Sequence, residues 1–116
     1  MTEIKKIQDL LTQFAEERDW TQFHSPKDLS MALSIEASEL MELFLWKGTE
    51  ESFHIKEHSL GPLKEEMADV FLYLLRLASI LDIDLIEASL EKMQLNAKKY
   101  PVTLSKGNHK KHTEFL

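Results

Sequence analysis

The chain predicts an all-α fold, a four-helix bundle, on three observations. Glycine and proline are scarce, three of each in 116 residues, which disfavours an all-β or disordered chain. Apolar residues recur at helical spacing, as in Ile4, Ile7, Leu10, Leu11 and Phe14. One stretch, Val70 to Leu81, is apolar nearly all round, the pattern of a helix buried on most sides.

The first helix is expected from Thr2 to Asp19, with Thr2 as its N-cap. An aromatic connector, Trp20 to Pro26, follows, and Ser25 before Pro26 is a helix start signal. The second helix then runs to Trp46 and closes at Lys47-Gly48. The polar segment Thr49 to Gly61 reads as a mobile linker or a short extra turn. Pro62 opens the third helix, which reaches Leu81. Asp82-Ile83-Asp84 marks a break and a cap, and the fourth helix spans Leu85 to Lys99. Tyr100-Pro101 ends it. The remainder, with Lys106, His109, Lys110, Lys111 and His112, reads as a flexible basic tail, so the domain is 1–101 and the tail 102–116. So apolar a third helix finds little cover in so small a domain. Association through helix faces follows, as a symmetric dimer or a dimer of dimers.

The apolar share of 43% and charged share of 29% are ordinary for a soluble globular chain. A net charge of -6 argues against nucleic acid as a partner. The absence of Cys removes disulfides and thiolate metal sites and fits a reducing cytosol. Met1 to Lys6 holds no apolar stretch for a signal peptide. The run from Val70 to Leu81 is interrupted by Arg76 and is too short to span a bilayer. The expected location is cytoplasmic, without a membrane partner.

Two acidic words carry the chemistry: Glu36-Ala37-Ser38-Glu39 and Glu66-Met67-Ala68-Asp69. Within each, the acids stand at i and i+3 and share a helix face. With Glu66 at zero on a helical wheel, Asp69 falls at about 300°, Tyr73 at about 340° and Arg76 at about 280°. With Glu36 at zero, Glu39 falls at about 300° and Trp46 at about 280°. If the two faces oppose one another, four carboxylates converge and need protons or cations between them. Hard oxygen ligands suit Mg²⁺ or Mn²⁺, which also make an acidic site receptive to a nucleoside triphosphate. Tyr73 and Trp46 add a shelf for a flat ring. The plainer reading of either word alone is a solvated helix face, as for Glu42 and Glu65. Both words, however, sit among apolar residues, and unpaired buried acids are costly.

Other patterns are weaker. Glu51 with His54 forms one ExxH word where a di-iron bundle uses two. His54 with His58 has zinc-compatible spacing but lacks the glutamate of HExxH.

Longer strings carry a family resemblance. They are Phe14-Ala15-Glu16-Glu17-Arg18-Asp19-Trp20, Gln22-Phe23-His24, Glu39 through Lys47, Glu65 through Val70, Tyr73-Leu74, Asn96 and Lys99-Tyr100-Pro101. Over about Ile4 to Pro101 the chain resembles the MazG-like, all-α nucleoside triphosphate pyrophosphohydrolases, most of all their dCTP pyrophosphatase branch. Ile35 stands where many members carry the first of two adjacent acids, a position that this branch also lacks. Thr49 to Gly61 has no counterpart.

The resemblance implies hydrolysis of a dNTP, with dCTP or a modified cytosine dNTP leading, to dNMP and pyrophosphate in nucleotide-pool house-cleaning. It makes Glu36, Glu39, Glu66 and Asp69 the catalytic Mg²⁺ ligands, with Glu39 orienting or deprotonating the attacking water. Trp20, His24, Trp46 and Tyr73 match positions around base and sugar. Asn96 matches a nucleotide contact, and Lys92 and Lys99 are candidates for phosphate. A neighbouring subunit of a homodimer or homotetramer would complete the base pocket. Plainer roles stand beside these. Trp20 and Trp46 also read as core or interface anchors, His24 as a packing or capping residue, and Lys92 as part of a solvated face with Glu87 and Glu91. Two rival functions remain open: a broad-specificity dNTP pyrophosphatase, and a non-catalytic helical interaction module.

Overall fold

The computed structural model describes residues 1–115, which contain six α-helices and two 3₁₀ turns and no strand. The helices are α1 (Glu3–Glu17), α2 (Pro26–Glu42), α3 (Thr49–Ser52), α4 (Lys56–Leu81), α5 (Leu85–Lys99) and α6 (Val102–Ser105). The 3₁₀ turns are Thr21–Phe23 and His112–Phe115. The all-α expectation holds. The chain forms two compact units, Met1–Asp82 and a second that begins at Ile83.

In the first unit, α4 packs chiefly on α2 and more narrowly on α1. The core is small: Ala15, Leu29, Ile55, Leu75 and Ala78 are buried. Thr2 caps α1 as expected, its hydroxyl accepting from Lys5 N–H at 3.1 Å. Asp19 ends that helix in the left-handed region (φ 55), which the short side chain of Asp tolerates. Asp19 N–H then reaches Glu16 C=O (3.1 Å) and Trp20 N–H reaches Ala15 C=O (2.8 Å), the paired bonds of a Schellman end. This reversal swings Trp20 back over α1, edge-on to Phe14 with ring centroids 5.7 Å apart. Ser25 caps α2 through Asp28 N–H (3.1 Å), with Pro26 in the first turn.

Three local expectations are corrected. The spacing runs the second helix on to Trp46, but α2 ends at Glu42. Leu43, Phe44 and Leu45 donate to Leu40, Met41 and Glu42, three residues back. The regular helix therefore stops before Trp46, and the wheel angle that an unbroken helix gives Trp46 no longer applies. Trp46 itself adopts φ 66 and is 94% exposed. Gly48 is extended and leads into α3 rather than closing α2. Second, of the two readings of Thr49 to Gly61 the extra turn is the one found, and the helix expected to open at Pro62 begins earlier. The turn is α3, and α4 starts at Lys56, with a non-helical break at Ser59 (φ -137, ψ 32). Pro62 therefore falls in the first turn of the resumed helix, where its missing N–H is not needed. Third, the segment after Pro101 winds into α6 and a 3₁₀ turn. The Tyr100 ring meets His112 and Phe115 edge-on at 5.7 and 6.1 Å, so aromatic packing orders what reads in sequence as a flexible tail.

α4 is only partly covered within one chain. Leu75 and Ala78 are buried, while Phe71, Leu74, Ile80 and Leu81 remain exposed. In the second unit, Asp84 caps α5 through Glu87 N–H (3.0 Å), and Lys98 and Lys99 sit in its last turn, where cations complement the helix dipole. Among the described residues no helix is long and apolar enough to cross a membrane.

Candidate active site

Because α2 lies against α4, the two acidic words face each other. Carboxylate oxygens of Glu36, Glu39 and Glu66 all lie within 4.8 Å of one another, and the three residues are half-buried. One oxygen of Glu36 (Oε2) and one of Glu66 (Oε2) are buried without a hydrogen-bond partner. No Lys or Arg among the described residues pairs with any of the four acids. The Glu36 carboxyl is pushed up to about 7, first by loss of water and then by the neighbouring Glu39 carboxyl and the charges of Asp69 and Glu66. Glu66 is raised as well, by burial and then by Glu39, with smaller contributions from Asp69 and Glu65.

Asp69 lies outside the three-acid group, yet its charge acts on both Glu36 and Glu66. It also lines a cavity of about 380 Å³ between α1, the Trp20–His24 connector and α4. Aliphatic walls come from Ile7, Leu10, Leu11 and Leu72, and aromatic ones from Phe14, Trp20 and Tyr73. The polar residues on the cavity are Asp69, His24 and Arg76. Arg18 lies over the Phe14 ring at 3.6 Å from its centroid and donates to Phe14 C=O (3.1 Å), fixing that ring by cation–π contact.

Arg76 is only 5% exposed. Its Nε donates to His24 Nδ1 (3.1 Å) and its Nη1 to Thr12 Oγ1 (3.2 Å). Thr12 in turn donates to Gln8 C=O (3.0 Å), and Gln8 Nε2 to Leu75 C=O (3.3 Å). This chain of bonds ties α1, the connector and α4 together. Burial and the Arg76 charge both hold His24 below the ordinary histidine range.

The structure thus brings Glu36, Glu39 and Glu66 together, sets Asp69 beside them, and puts Trp20, His24 and Tyr73 on the adjoining cavity. Trp46 is absent from that cavity. Lys92, Asn96 and Lys99 all lie on α5 in the second unit, with Asn96 half-buried and both lysines exposed. Phe14 and Arg76 are site residues that the acidic words do not flag. The signal for Arg76 was its place on the polar stripe of an otherwise apolar helix.

An acid-only donor set with two orphaned buried oxygens fits a hard divalent cation. The site is of the all-α kind in which two helices present acid pairs to one another beside an apolar cavity, and the chain belongs to the MazG-like family. That family's model matches residues 31–115. The chain is 43% identical over 115 residues to dCTP pyrophosphatase 1 of Rattus norvegicus, covering 96% of this chain and 66% of that protein. It is 41% identical over 115 residues to dCTP pyrophosphatase 1 of Homo sapiens, covering 96% of this chain and 66% of that protein. It therefore spans just under two thirds of the length of these curated relatives. A solved structure of a pyrophosphatase from Archaeoglobus fulgidus DSM 4304 superimposes with a TM-score of 0.83 at 39% identity, covering 87% of this chain and 94% of that one.

Proposed function

We propose that the chain is a nucleoside triphosphate pyrophosphohydrolase that splits a dNTP into dNMP and pyrophosphate with Mg²⁺ or Mn²⁺, and that dCTP or a modified cytosine dNTP is its substrate. The observation that carries this reading is the meeting of two acidic words from separate helices, with two buried carboxylate oxygens left without partners. The names of the relatives, dCTP pyrophosphatase 1 and pyrophosphatase, support it.

Glu36, Glu39, Glu66 and Asp69 would hold the divalent cation. When bound, the cation supplies countercharge for the phosphate oxygens. Glu39 orients the attacking water and accepts its proton. The water oxygen forms a bond to the α-phosphorus, the bond from that phosphorus to the bridging oxygen breaks, and pyrophosphate leaves. Trp20, Phe14 and Tyr73 hold the ring of the nucleotide by stacking and edge contacts. Lys92, Lys99 and Asn96 of α5 are the residues that the family resemblance assigns to phosphate and nucleotide, and a second copy of the chain would complete the pocket. The largely apolar lining favours one alternative, a broader dNTP pyrophosphatase, because stacking tolerates any base.

The test is incubation with each dNTP, with and without Mg²⁺, scoring pyrophosphate against orthophosphate. Pyrophosphate with dNMP, dependent on the cation and strongest for dCTP, is the expected result. Equal rates on all four dNTPs favour the broad enzyme. Orthophosphate alone overturns the reaction, and no release at all returns the chain to a helical interaction module.

A further inference from the structure

Arg76 is a buried cation without an acid. No Asp or Glu among the described residues lies within ion-pair reach of it, although taking a guanidinium out of water is costly unless something compensates. Two of its three nitrogens are engaged, Nε by His24 and Nη1 by Thr12. Nη2 has no hydrogen-bond partner among the described residues. It is not among the fully buried unpaired atoms, so it reaches open space, and the space that Arg76 lines is the cavity beside Asp69.

The same contact fixes the imidazole. A guanidinium only donates, so His24 Nδ1 must accept, and the ring proton of the neutral form sits on Nε2. Nε2 also has no partner among the described residues, and His24 lines the same cavity. Arg76 Nη2 and His24 Nε2 therefore offer N–H groups to the cavity, and neither of these two groups can accept. The rest of its lining is apolar, apart from Tyr73 and Asp69.

We propose that Arg76 and His24 form a donor-only edge that reads the nucleotide base and selects rings carrying two adjacent hydrogen-bond acceptors. The inference rests on the nucleotide reading above. Cytosine presents O2 beside N3, and guanine presents O6 beside N7. Thymine and uracil place an N–H between their carbonyls. Adenine sets an amino group beside N1 and N7. A ring that turns N–H groups toward this edge leaves donors facing donors, the situation that gives sites their strongest rejection. Arg76 is thus a specificity-determining residue, and it also positions His24.

Equilibrium binding of dCMP, dGMP, dAMP and dTMP, without metal, tests this apart from turnover. The wild-type chain should bind dCMP and dGMP about tenfold or more tighter than dTMP and dAMP. Arg76→Met should erase that ratio, and Arg76→Lys should also lose it, because a point charge does not replace the fork. If Arg76→Met does not fold, the wild-type ratio and its reduction in His24→Phe decide. Equal wild-type affinities for the four, or an unchanged ratio in a folded Arg76→Met, overturn the proposal. A chain that shows the ratio but releases no pyrophosphate supports the base-reading edge and sinks only the proposed reaction.

Discussion

Glu36 holds its proton unusually tightly, because burial strips its water and three acids crowd it. Its pKa in the folded chain, about 7, lies above the ordinary carboxylate value of 4.5. Its contribution to stability is therefore fully present below about 4.5 and is lost as pH rises through about 7. His24 works in the opposite direction. Its lowered value gives a contribution that is present above the ordinary histidine range and lost as pH falls. Thermal melts in EDTA should separate the two. Glu36→Gln should raise the melting temperature most at pH 8 and flatten the rise otherwise seen on acidification from 8 to 6. Wild-type melts that are insensitive to Glu36→Gln across this range would remove the crowding argument. Asp69 tests the ligand set itself. Millimolar Mg²⁺ should raise the wild-type melting temperature by binding linkage. Asp69→Asn should shrink that response and abolish turnover, and an undiminished response would exclude Asp69 as a ligand.

At the scale of elements, the fit between α2 and α4 turns two sequence words into a site. Leu75 is fully buried on α4, one residue before Arg76. Leu75→Ala should cost about 2–5 kcal/mol in urea unfolding. Trp46 presents the reverse case, a bulky exposed residue at φ 66. A left-handed backbone costs such a residue about 1–2 kcal/mol. Trp46→Gly should therefore leave stability unchanged or higher, while raising KM if the ring contacts nucleotide, as the family position implies. An unchanged KM would assign Trp46 to another surface. Much of this architecture was legible in sequence. The caps at Thr2, Ser25 and Asp84 and the limits of α5 follow from local side-chain chemistry that neighbours do not override. The end of α2 was not legible, because Leu43, Phe44, Leu45 and Trp46 are good helix residues and nothing local announces the switch to three-residue bonding. The i, i+3 spacing put each acid pair on one helix face, but that these faces of α2 and α4 oppose and bring Glu36, Glu39 and Glu66 together needed the packing of the two helices. The role of Arg76 needed Thr12 and His24 to be seen beside it, 64 and 52 residues away in sequence.

For the molecule as a whole, the imbalance is not charge but cover: a small core sits beside many exposed apolar side chains. Phe71, Leu74, Ile80 and Leu81 on α4 and Met31 and Ile35 on α2 are left open to water, more than an isolated chain of 13.5 kDa usually tolerates. Light scattering should therefore return at least twice that mass, and a monomer at micromolar concentration would contradict the association expected from the third helix. The two tryptophans have a practical consequence of their own. Trp20 stands at the cavity wall beside Phe14, while Trp46 projects into solvent. Iodide should quench the emission of Trp46 readily. The remainder comes from Trp20, which is 45% exposed at the cavity wall, and a ligand that fills the cavity should shift that emission to the blue and reduce its quenching, reporting occupancy with no label attached.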